Sequence, residues 1–402
     1  MDIRKEVETI FPLLVEQRRY LHAHPELSRQ EDNTVAYIMK QLESFGFEEI
    51  IEIPDGGVIA YVRGGKAPAE GKKTILLRAD IDALPVLEPE MNLSQPRTCR
   101  SENEGVMHAC GHDGHTSMLL GAAKLLHDHR DELCGDVLCC FERGEEGGGN
   151  INDIMAYFFA HGVKYDRCFG MHVEPGYEAG TFGVSPGNAD AAGIGISYKI
   201  TSKGGHGSRP DLANNAIDIL VEFINQINLI RLKTVSPFDN FTVAVCKVTS
   251  GTKGNIIPDT AELEGTARFF NHAAKQKFMD RIEEIRQAME KLYGCTIENR
   301  VGRAPGNPLL NDEASAMCAR RAAEKLIGAE NLLPQAVTMG SESFGRYMEI
   351  APGCYGNLGV ANAAKGCGAW IHDPYFDLDE DALKVGCGMH IAMAYEYLNN
   401  ED

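Results

Sequence analysis

The sequence predicts an α/β protein with a mixed, largely parallel sheet and a smaller α+β domain inserted into it. In the N-terminal half, short apolar strands alternate with helical segments, which is typical of a parallel sheet. After residue 187 the order changes to β-α-β-β-α-β, the ferredoxin-like pattern. The length of 402 residues also exceeds one ordinary hydrophobic core. We therefore expect two domains.

Apolar residues at helical spacing predict an opening helix from Ile3 and a second helix around residues 35–42, ended by Gly46. A third helix is expected after Asp113, where the segment 118–126 is apolar and rich in alanine. A closing helix is expected over residues 381–398.

Three continuous apolar segments predict buried strands, and polar residues follow each of them. The segments are 74–77, 137–141 and 168–171. The polar residues that follow them are Asp80 and Asp82, the pair Glu145-Glu146, and His172, at which the third strand is expected to end. Because ligands bind beyond the carboxyl ends of parallel strands, these residues indicate one shared site.

The inserted domain is expected at residues 188–302, between catalytic-domain segments 1–187 and 303–402. Alternating polar and apolar residues over 194–200 indicate a half-exposed antiparallel strand. The remaining predicted elements are a helix 214–233, strands 242–249 and 261–270, a helix ended by Gly294, and a strand 295–301.

The charge balance excludes some classes of partner. Acidic residues number 58 and basic residues 39, giving a net charge of −19. This argues against nucleic acid or an anionic membrane as the main partner, although an anionic small substrate remains compatible. The 12 cysteines are scattered, unlike a secreted disulfide scaffold, and we find no apolar signal core or membrane-length segment. We therefore expect a cytoplasmic protein.

The most informative segment is His108-Ala109-Cys110-Gly111-His112-Asp113. Cys110 and His112 put a thiolate and an imidazole two positions apart, and both are suited to zinc and related divalent metals. Such a pair is often structural, but its place between an α/β strand and a helix favours a metal site. His108 and His115 are expected behind the ligands or in the core, because surplus ligands would leave no open position for chemistry.

The adjacent carboxylates Glu145 and Glu146 lie in a glycine-rich segment. They could be a solvated charge pair, but they directly follow a buried strand. Two such carboxylates can divide their roles, one binding metal and the other serving as general base. His172, His206 and His372 are each weak indications alone, and their joint occurrence supports a site.

Together these motifs resemble the aminoacylase, hippurate hydrolase and indole-acetyl-amino-acid hydrolase family of dinuclear metallo-amidohydrolases. The matching segments are HAHPELS (22–28), RADIDALP (78–85), HACGHDGHTSMLLGAA (108–123), EEGGG (145–149), GMHVEP (170–175), GGHGSRP (204–210), GTKGNIIP (251–258), EGTAR (264–268) and IHDPYFDLDED (371–381). The resemblance implies a zinc-peptidase-like catalytic domain that holds two divalent ions per subunit and carries an inserted lid domain. The ions would be zinc or manganese, with cobalt or nickel as alternatives.

The resemblance also implies roles for individual residues. The implied metal ligands are Cys110, as the bridging ligand, His112, Glu146, His172 and His372. Glu145 would be the general base, and His206 would polarise the scissile carbonyl. Asn255 and Arg268 would hold a substrate carboxylate. Asp82 would orient the ligands without being one.

This chain departs from the family pattern at three places. Glu142-Arg143-Gly144 stands where a Gln-Pro-Ala-like stretch is common, and Ser343 stands where a relative has Asp in Ser-Glu-Asp-Phe. After GGHGSRP the usual histidine and Asp-Pro are replaced. The implied ligands and base are all present, so the departures bear on substrate choice.

The predicted activity is hydrolysis of the amide bond of N-acyl amino acids. Alternatives in the same chemistry are a dipeptidase or an N-acetyl- or N-succinyl-diaminopimelate deacylase. Two other classes are a non-catalytic metal- or ligand-binding protein on this fold and a cysteine hydrolase with Cys110 as nucleophile. A homodimer or higher oligomer through the lid domain is also expected, and the sequence leaves open which subunit supplies His206.

Overall fold

The computed structural model describes residues 1–66, 71–147, 149–301 and 306–400. The predicted boundary between residues 302 and 303, and Gly148 of the EEGGG segment, lie outside the described residues. The chain divides into two compact units. The first comprises Met1–Ala189, Leu310–Ala336 and Ser343–Asp402, and the second comprises Asp190–Leu309 and Val337–Glu342.

Within the described residues the chain forms α-helices and β-strands that we label in chain order. The helices are α1 Ile3–Ala23, α2 Asp32–Ser44, α3 His112–Asp128, α4 Ile151–His161, α5 Ala216–Lys233, α6 His272–Tyr293, α7 Glu313–Ile327 and α8 Ala382–Asn399. The strands are β1 Ile50–Ile53, β2 Gly57–Val62, β3 Thr74–Asp80, β4 Asp136–Glu142, β5 Arg167–Glu178, β6 Phe182–Gly183, β7 Gly187–Asp190, β8 Ala192–Thr201, β9 Gly205–His206, β10 Phe241–Ser250, β11 Ile256–Ile257, β12 Thr260–Phe269, β13 Thr296–Asn299, β14 Leu309–Asn311, β15 Leu332–Leu333 and β16 Gly353–Ala361.

The first unit contains a mixed sheet of eight strands in the order β1-β2-β4-β3-β5-β16-β6-β15. Its four central strands β4, β3, β5 and β16 are parallel to one another. The predicted fold class, α/β with a mixed and largely parallel sheet, is therefore confirmed. The carboxyl ends of these strands lie at one edge, which is where the candidate site is expected.

Burial of the central strands explains their apolar sequences. Every residue of β4 is buried, as expected for a parallel strand covered on both faces. Helices α1, α3, α7 and α8 pack together over the sheet. Nearly all of α3 is buried, so this helix is fixed on the core and can hold the residues at its start in place. Across the described part of the chain, no helix is long and apolar enough to cross a membrane.

One predicted element differs from the structure. The strand expected to end at His172 continues as β5 to Glu178. Strand β16 runs parallel beside it, pairing Gly353 with Cys168 at one end and Ala361 with Glu178 at the other. The backbone pairing continues past the apolar segment, which periodicity alone could not indicate. His172 therefore lies within a strand.

The second unit contains an antiparallel sheet in the order β10-β12-β8-β13, with α5 and α6 packed on it. The predicted β-α-β-β-α-β order is present as β8, α5, β10, β12, α6 and β13. Strand β8 alternates buried and more exposed residues, as its sequence indicated. A short sheet of β9 and β11 carries His206.

Candidate metal centre

Cys110 and His112 flank the turn through which the chain enters α3. Between them, Gly111 has a left-handed backbone with φ of +85°, and a Cβ on it would lie 2.5 Å from Val173 Cγ2. Glycine is required here both by the backbone conformation and by the close approach. The turn leaves Cys110 Sγ 3.3 Å from Nε2 of His172 on β5.

The imidazole of His172 is oriented by its own strand. Its Nδ1–H donates a hydrogen bond of 2.7 Å to the carbonyl oxygen of Val173. This fixes the tautomer in which the Nε2 lone pair is free and directed toward Cys110.

Asp82 orients two of the predicted ligands at once. Its Oδ1 accepts a hydrogen bond of 3.1 Å from His112 Nδ1, which leaves Nε2 of that ring as the available donor atom for a metal. Its Oδ2 accepts from the backbone N–H of Glu146 at 3.0 Å and from the hydroxyl of Ser28 at 2.6 Å. Asp82 is itself almost completely buried, so these bonds act without competition from solvent.

Glu146 and His372 approach each other closely. Oε1 of Glu146 lies 2.9 Å from Nε2 of His372. A carboxylate oxygen and an imidazole nitrogen this close together fit ligands of a shared cation. Burial raises the pKa of Glu146, but the nearby His372 and His112 outweigh it and lower that pKa to about 2.

His372 adopts an unusual backbone conformation. Its φ is +66°, in the left-handed region that only a few per cent of non-glycine residues occupy. Its backbone N–H donates to the carbonyl oxygen of Ala109 at 2.8 Å, which ties this turn to the segment before Cys110. Such backbone strain is often found at functional sites.

The donor atoms form overlapping groups. Atoms within 4.8 Å of one another occur in the sets Cys110–His112–His172, Cys110–Glu146–His372 and His112–Glu145–Glu146. Cys110 belongs to both of the first two sets. Thiolate, imidazole and carboxylate together suit zinc and other divalent transition metals. The residues present therefore fit a divalent metal centre.

A fourth set is formed by Asp80, His112 and His115, but both ring nitrogens of His115 are already engaged in hydrogen bonds. His115 Nδ1 donates to Asp80 at 2.6 Å, and its Nε2 accepts from the backbone N–H of Val173 at 3.0 Å. Burial, partly offset by Asp80, lowers the pKa of His115 to about 4, so this ring is neutral. His108 is also buried, and burial lowers its pKa to about 4.

The electrostatics of the site favour a cation. Burial lowers the pKa of His112, but Asp80 and Cys110 outweigh it and raise that pKa well above its usual value. Burial raises the pKa of the Cys110 thiol well above its usual range. A metal bound to the sulfur would oppose that shift, because a coordinating thiol is deprotonated outright.

Sequence reasoning missed a buried group that anchors the start of α3. Asp113, next to His112, accepts hydrogen bonds of 2.8 Å from both Arg18 and His22 of α1. His22 also contacts Glu88 at 2.9 Å. Burial and Arg18 lower the pKa of His22, but its bonds to Asp113 and Glu88 outweigh them and raise it. His22 opens the HAHPELS segment, and Ser28, which contacts Asp82, closes it.

The second unit holds the three other predicted site residues. His206 is exposed on β9, and its Nδ1 accepts a hydrogen bond of 3.1 Å from the backbone N–H of Ser208. Asn255 lies beside it, because the N–H of Gly207 donates to the Asn255 carbonyl oxygen at 3.0 Å. Arg268 lies on β12, where its Nη1 donates to Ser341 Oγ at 2.9 Å.

The sequence matches Peptidase family M20/M25/M40 over residues 76–396. It is 33% identical to thermostable carboxypeptidase 1 of Saccharolobus solfataricus, over 99% of this chain and 98% of that protein. It is also 33% identical to the IAA-amino acid hydrolase ILR1-like 4 of Arabidopsis thaliana, over 96% of this chain and 86% of that protein.

The fold is similar to a crystal structure from Bacillus subtilis described as a dinuclear metal-binding peptidase of the M20 family. The TM-score is 0.81 and the sequences are 30% identical, with 98% of this chain and all of the other chain covered. The family and the dinuclear site of that relative agree with the clustering of donor atoms described above.

Proposed function

Because the chain belongs to Peptidase family M20/M25/M40 and is a metal-dependent amidohydrolase, we propose that it cleaves the amide bond of N-acyl amino acids. The products are a carboxylic acid and a free amino acid. The observation that carries this proposal is the convergence of Cys110, His112, Glu146, His172 and His372, with Glu145 beside them. A protein that only bound metal or ligand would have no use for the additional carboxylate of Glu145.

In this proposal the first unit is the catalytic domain. The five ligands Cys110, His112, Glu146, His172 and His372 would hold two divalent ions. We assign zinc or manganese, and cobalt or nickel can replace them. When bound, the ions supply Lewis-acid activation of the scissile carbonyl and of water.

Glu145 is the general base in this scheme. Its carboxylate takes the proton of the attacking water and then delivers it to the nitrogen of the leaving amine. Glu146, in contrast, is a ligand. Asp82 is assigned an orienting role, because its two oxygens accept from His112, Ser28 and the Glu146 amide.

The second unit is proposed as a lid that supplies His206, Asn255 and Arg268. Because His206 Nδ1 accepts the Ser208 N–H, the ring proton lies on Nε2, which can then donate to a developing oxyanion. Arg268 provides a planar donor group suited to a substrate carboxylate, and Asn255 adds an amide. Leaving groups with a free carboxylate are therefore favoured.

A second copy of this chain is the proposed macromolecular partner, bound through the lid. Among the residues that the structure describes, strand β10 is the last strand on its side of the antiparallel sheet. Helix α5 exposes several large apolar residues: Ile217, Val221, Leu229 and Leu232. An unpaired edge and an exposed apolar helix face are features of a surface that another chain covers.

We propose a reducing compartment, the cytoplasm, for the working enzyme. All twelve cysteines are free thiols, and most are buried. The proposed ligand Cys110 must remain reduced to bind metal, and cytoplasmic thiols are kept reduced.

The proposal is tested with a panel of N-acyl amino acids, dipeptides and acyl-diaminopimelates, with metal content measured alongside. We expect hydrolysis of N-acyl amino acids, loss of activity after extended chelation, and restoration by zinc, manganese or cobalt. Full activity in protein shown to contain no metal would contradict the proposal. Preferential cleavage of dipeptides or acyl-diaminopimelates would reassign the substrate and leave the chemistry in place.

A further inference from the structure

A buried ion pair lies at the ends of β3 and β4, directly before the glutamate pair. Arg78 Nε donates to Glu142 Oε2 at 2.8 Å, and both side chains are almost fully buried. Tyr347 adds a hydrogen bond of 3.0 Å to the same oxygen. Arg78 is held further by Asp80 at 2.7 Å. These directional bonds hold both side chains of the ion pair rigidly in place.

Ser343 connects this ion pair to Glu145. Its hydroxyl accepts a hydrogen bond of 2.7 Å from Arg78 Nη2 and donates one of 2.6 Å to Glu142 Oε1. Its backbone N–H donates to Glu145 Oε1 at 3.2 Å. The hydroxyl therefore fixes the residue, and the amide of the same residue holds the carboxylate.

The Glu145 side chain is placed where it requires an additional contact to hold it in one conformation. It lies in a turn that follows Gly144, whose φ is +65°, and its side chain is only half-buried. A glutamate side chain with free rotamers loses substantial entropy when it is held in one geometry. A general base must nevertheless be held within hydrogen-bond reach of the proton that it removes.

Glu142 and Ser343 are also two of the three places at which this chain departs from the family pattern. They stand where Gln and Asp are found in relatives, and here they contact each other directly. In this chain the carboxylate lies on β4 and the neutral side chain at position 343, and the hydrogen bond from Ser343 to Glu142 joins the two.

We infer that Ser343 is a positioning residue for the general base Glu145, held in place by the Arg78–Glu142 ion pair. The inference rests on the proposed function, in which Glu145 accepts the proton of the attacking water. Ser343 touches neither substrate nor metal in this scheme. Its contribution is to keep one carboxylate oxygen of Glu145 in a single place.

The kinetic test uses Ser343→Ala, with Ser343→Thr as the variant that keeps the hydroxyl. We expect Ser343→Ala to lower kcat about tenfold to a hundredfold, because misplacement by about 1 Å can cost on the order of 10²-fold, with KM and metal content unchanged. Ser343→Thr should restore most of kcat. Ser315→Ala is the matched control, because that buried hydroxyl also donates to a carboxylate, Asp312, at 2.8 Å.

Introducing Ser343→Ala into the Glu145→Gln variant distinguishes a positioning role of Ser343 from a general effect on the structure. If Ser343 acts through Glu145, adding Ser343→Ala to Glu145→Gln should change the residual kcat by less than about twofold. A purely structural role would multiply the two losses. If Ser343→Ala lowers kcat by the same factor in the wild-type enzyme and in the Glu145→Gln enzyme, the inference is overturned.

Crystal structures of the wild type, Ser343→Ala and Ser315→Ala give a readout that does not depend on turnover. We expect a single Glu145 side-chain conformer in the wild type and in Ser315→Ala. In Ser343→Ala we expect multiple conformers or a displaced carboxylate. An unmoved, singly ordered Glu145 in Ser343→Ala overturns the inference, whereas a wild-type enzyme inactive on the whole panel overturns the proposed function instead.

Discussion

Replacement of Asp82 tests whether the metal site depends on a residue that is not expected to bind metal. Asp82→Asn keeps the size of the side chain but provides only one acceptor oxygen. That oxygen can serve His112 on one side, or the Glu146 amide and Ser28 on the other, but not both. Asp82→Ala removes both sets of bonds.

The expected loss of metal affinity follows from the number of metal ligands that lose a hydrogen-bond partner. Loss of one partner that orients a metal ligand costs about 10–100-fold in metal affinity. Asp82→Asn should therefore weaken binding by about 10–100-fold, or roughly 1.4–2.7 kcal/mol. If the two contacts act independently, Asp82→Ala should weaken it by about 10²–10⁴-fold.

The assay is a competition titration with a zinc chelator of known affinity, supported by metal analysis after dialysis. Activity at saturating metal shows whether turnover recovers once the site is filled. Ser28→Ala is the control, because it removes one donor to Asp82 and leaves the His112 contact, so its effect should be less than about tenfold. Wild-type metal affinity in both folded Asp82 variants would refute the reasoning.

Four further outcomes are expected. Glu145→Gln should keep metal and lose most of kcat, whereas Glu146→Gln should lower metal content; the reverse pattern would exchange the two assignments. His206→Ala should keep metal and fold and lose kcat by roughly 10²–10³-fold, and a normal kcat would remove it from the mechanism. Mixing inactive Glu145→Gln and His206→Ala proteins under subunit exchange restores activity only if His206 acts across a dimer. Asp113→Asn should lower the free energy of unfolding by about 1.5–3 kcal/mol at pH 7, because it weakens a charged hydrogen bond to Arg18 while Asp377 and Glu380 still face that guanidinium. Burial raises the pKa of Asp113, but Arg18 and His22 lower it by more than burial raises it. The stability that depends on the Asp113 carboxylate is therefore present above about pH 4 and declines on acidification. Urea unfolding of the metal-free wild-type and Asp113→Asn proteins at pH 7, 4 and 3 measures this stability. A difference in the free energy of unfolding between the two proteins that grows on acidification would contradict the prediction.

The sequence predicts those parts of the fold that depend on local patterns. Apolar runs identify β3 and β4 because both are buried on two faces, and alternation identifies β8 because only one face is buried. The true end of β5 was missed, since it depends on pairing with β16, nearly two hundred residues further along the chain.

For the site, sequence motifs identify residue types but do not give their contacts. Cys110 and His112 could be singled out because they lie two positions apart in one motif. The contacts of Ser28 with Asp82 and of Ser343 with Glu142 join residues 54 and 201 positions apart. No local pattern encodes such pairs, because they form only when distant segments are folded against each other.

The left-handed backbone of His372 affects how substitutions there should be interpreted. Alanine at this position would remove the imidazole and, unlike histidine, is not enriched in this left-handed conformation, which costs of order 1–3 kcal/mol. Glycine would remove the imidazole but relieve that strain and loosen the turn. Asparagine tolerates the left-handed region better than most residues. His372→Asn is therefore the replacement that reports the loss of an imidazole with the least change in the stability of the surrounding turn.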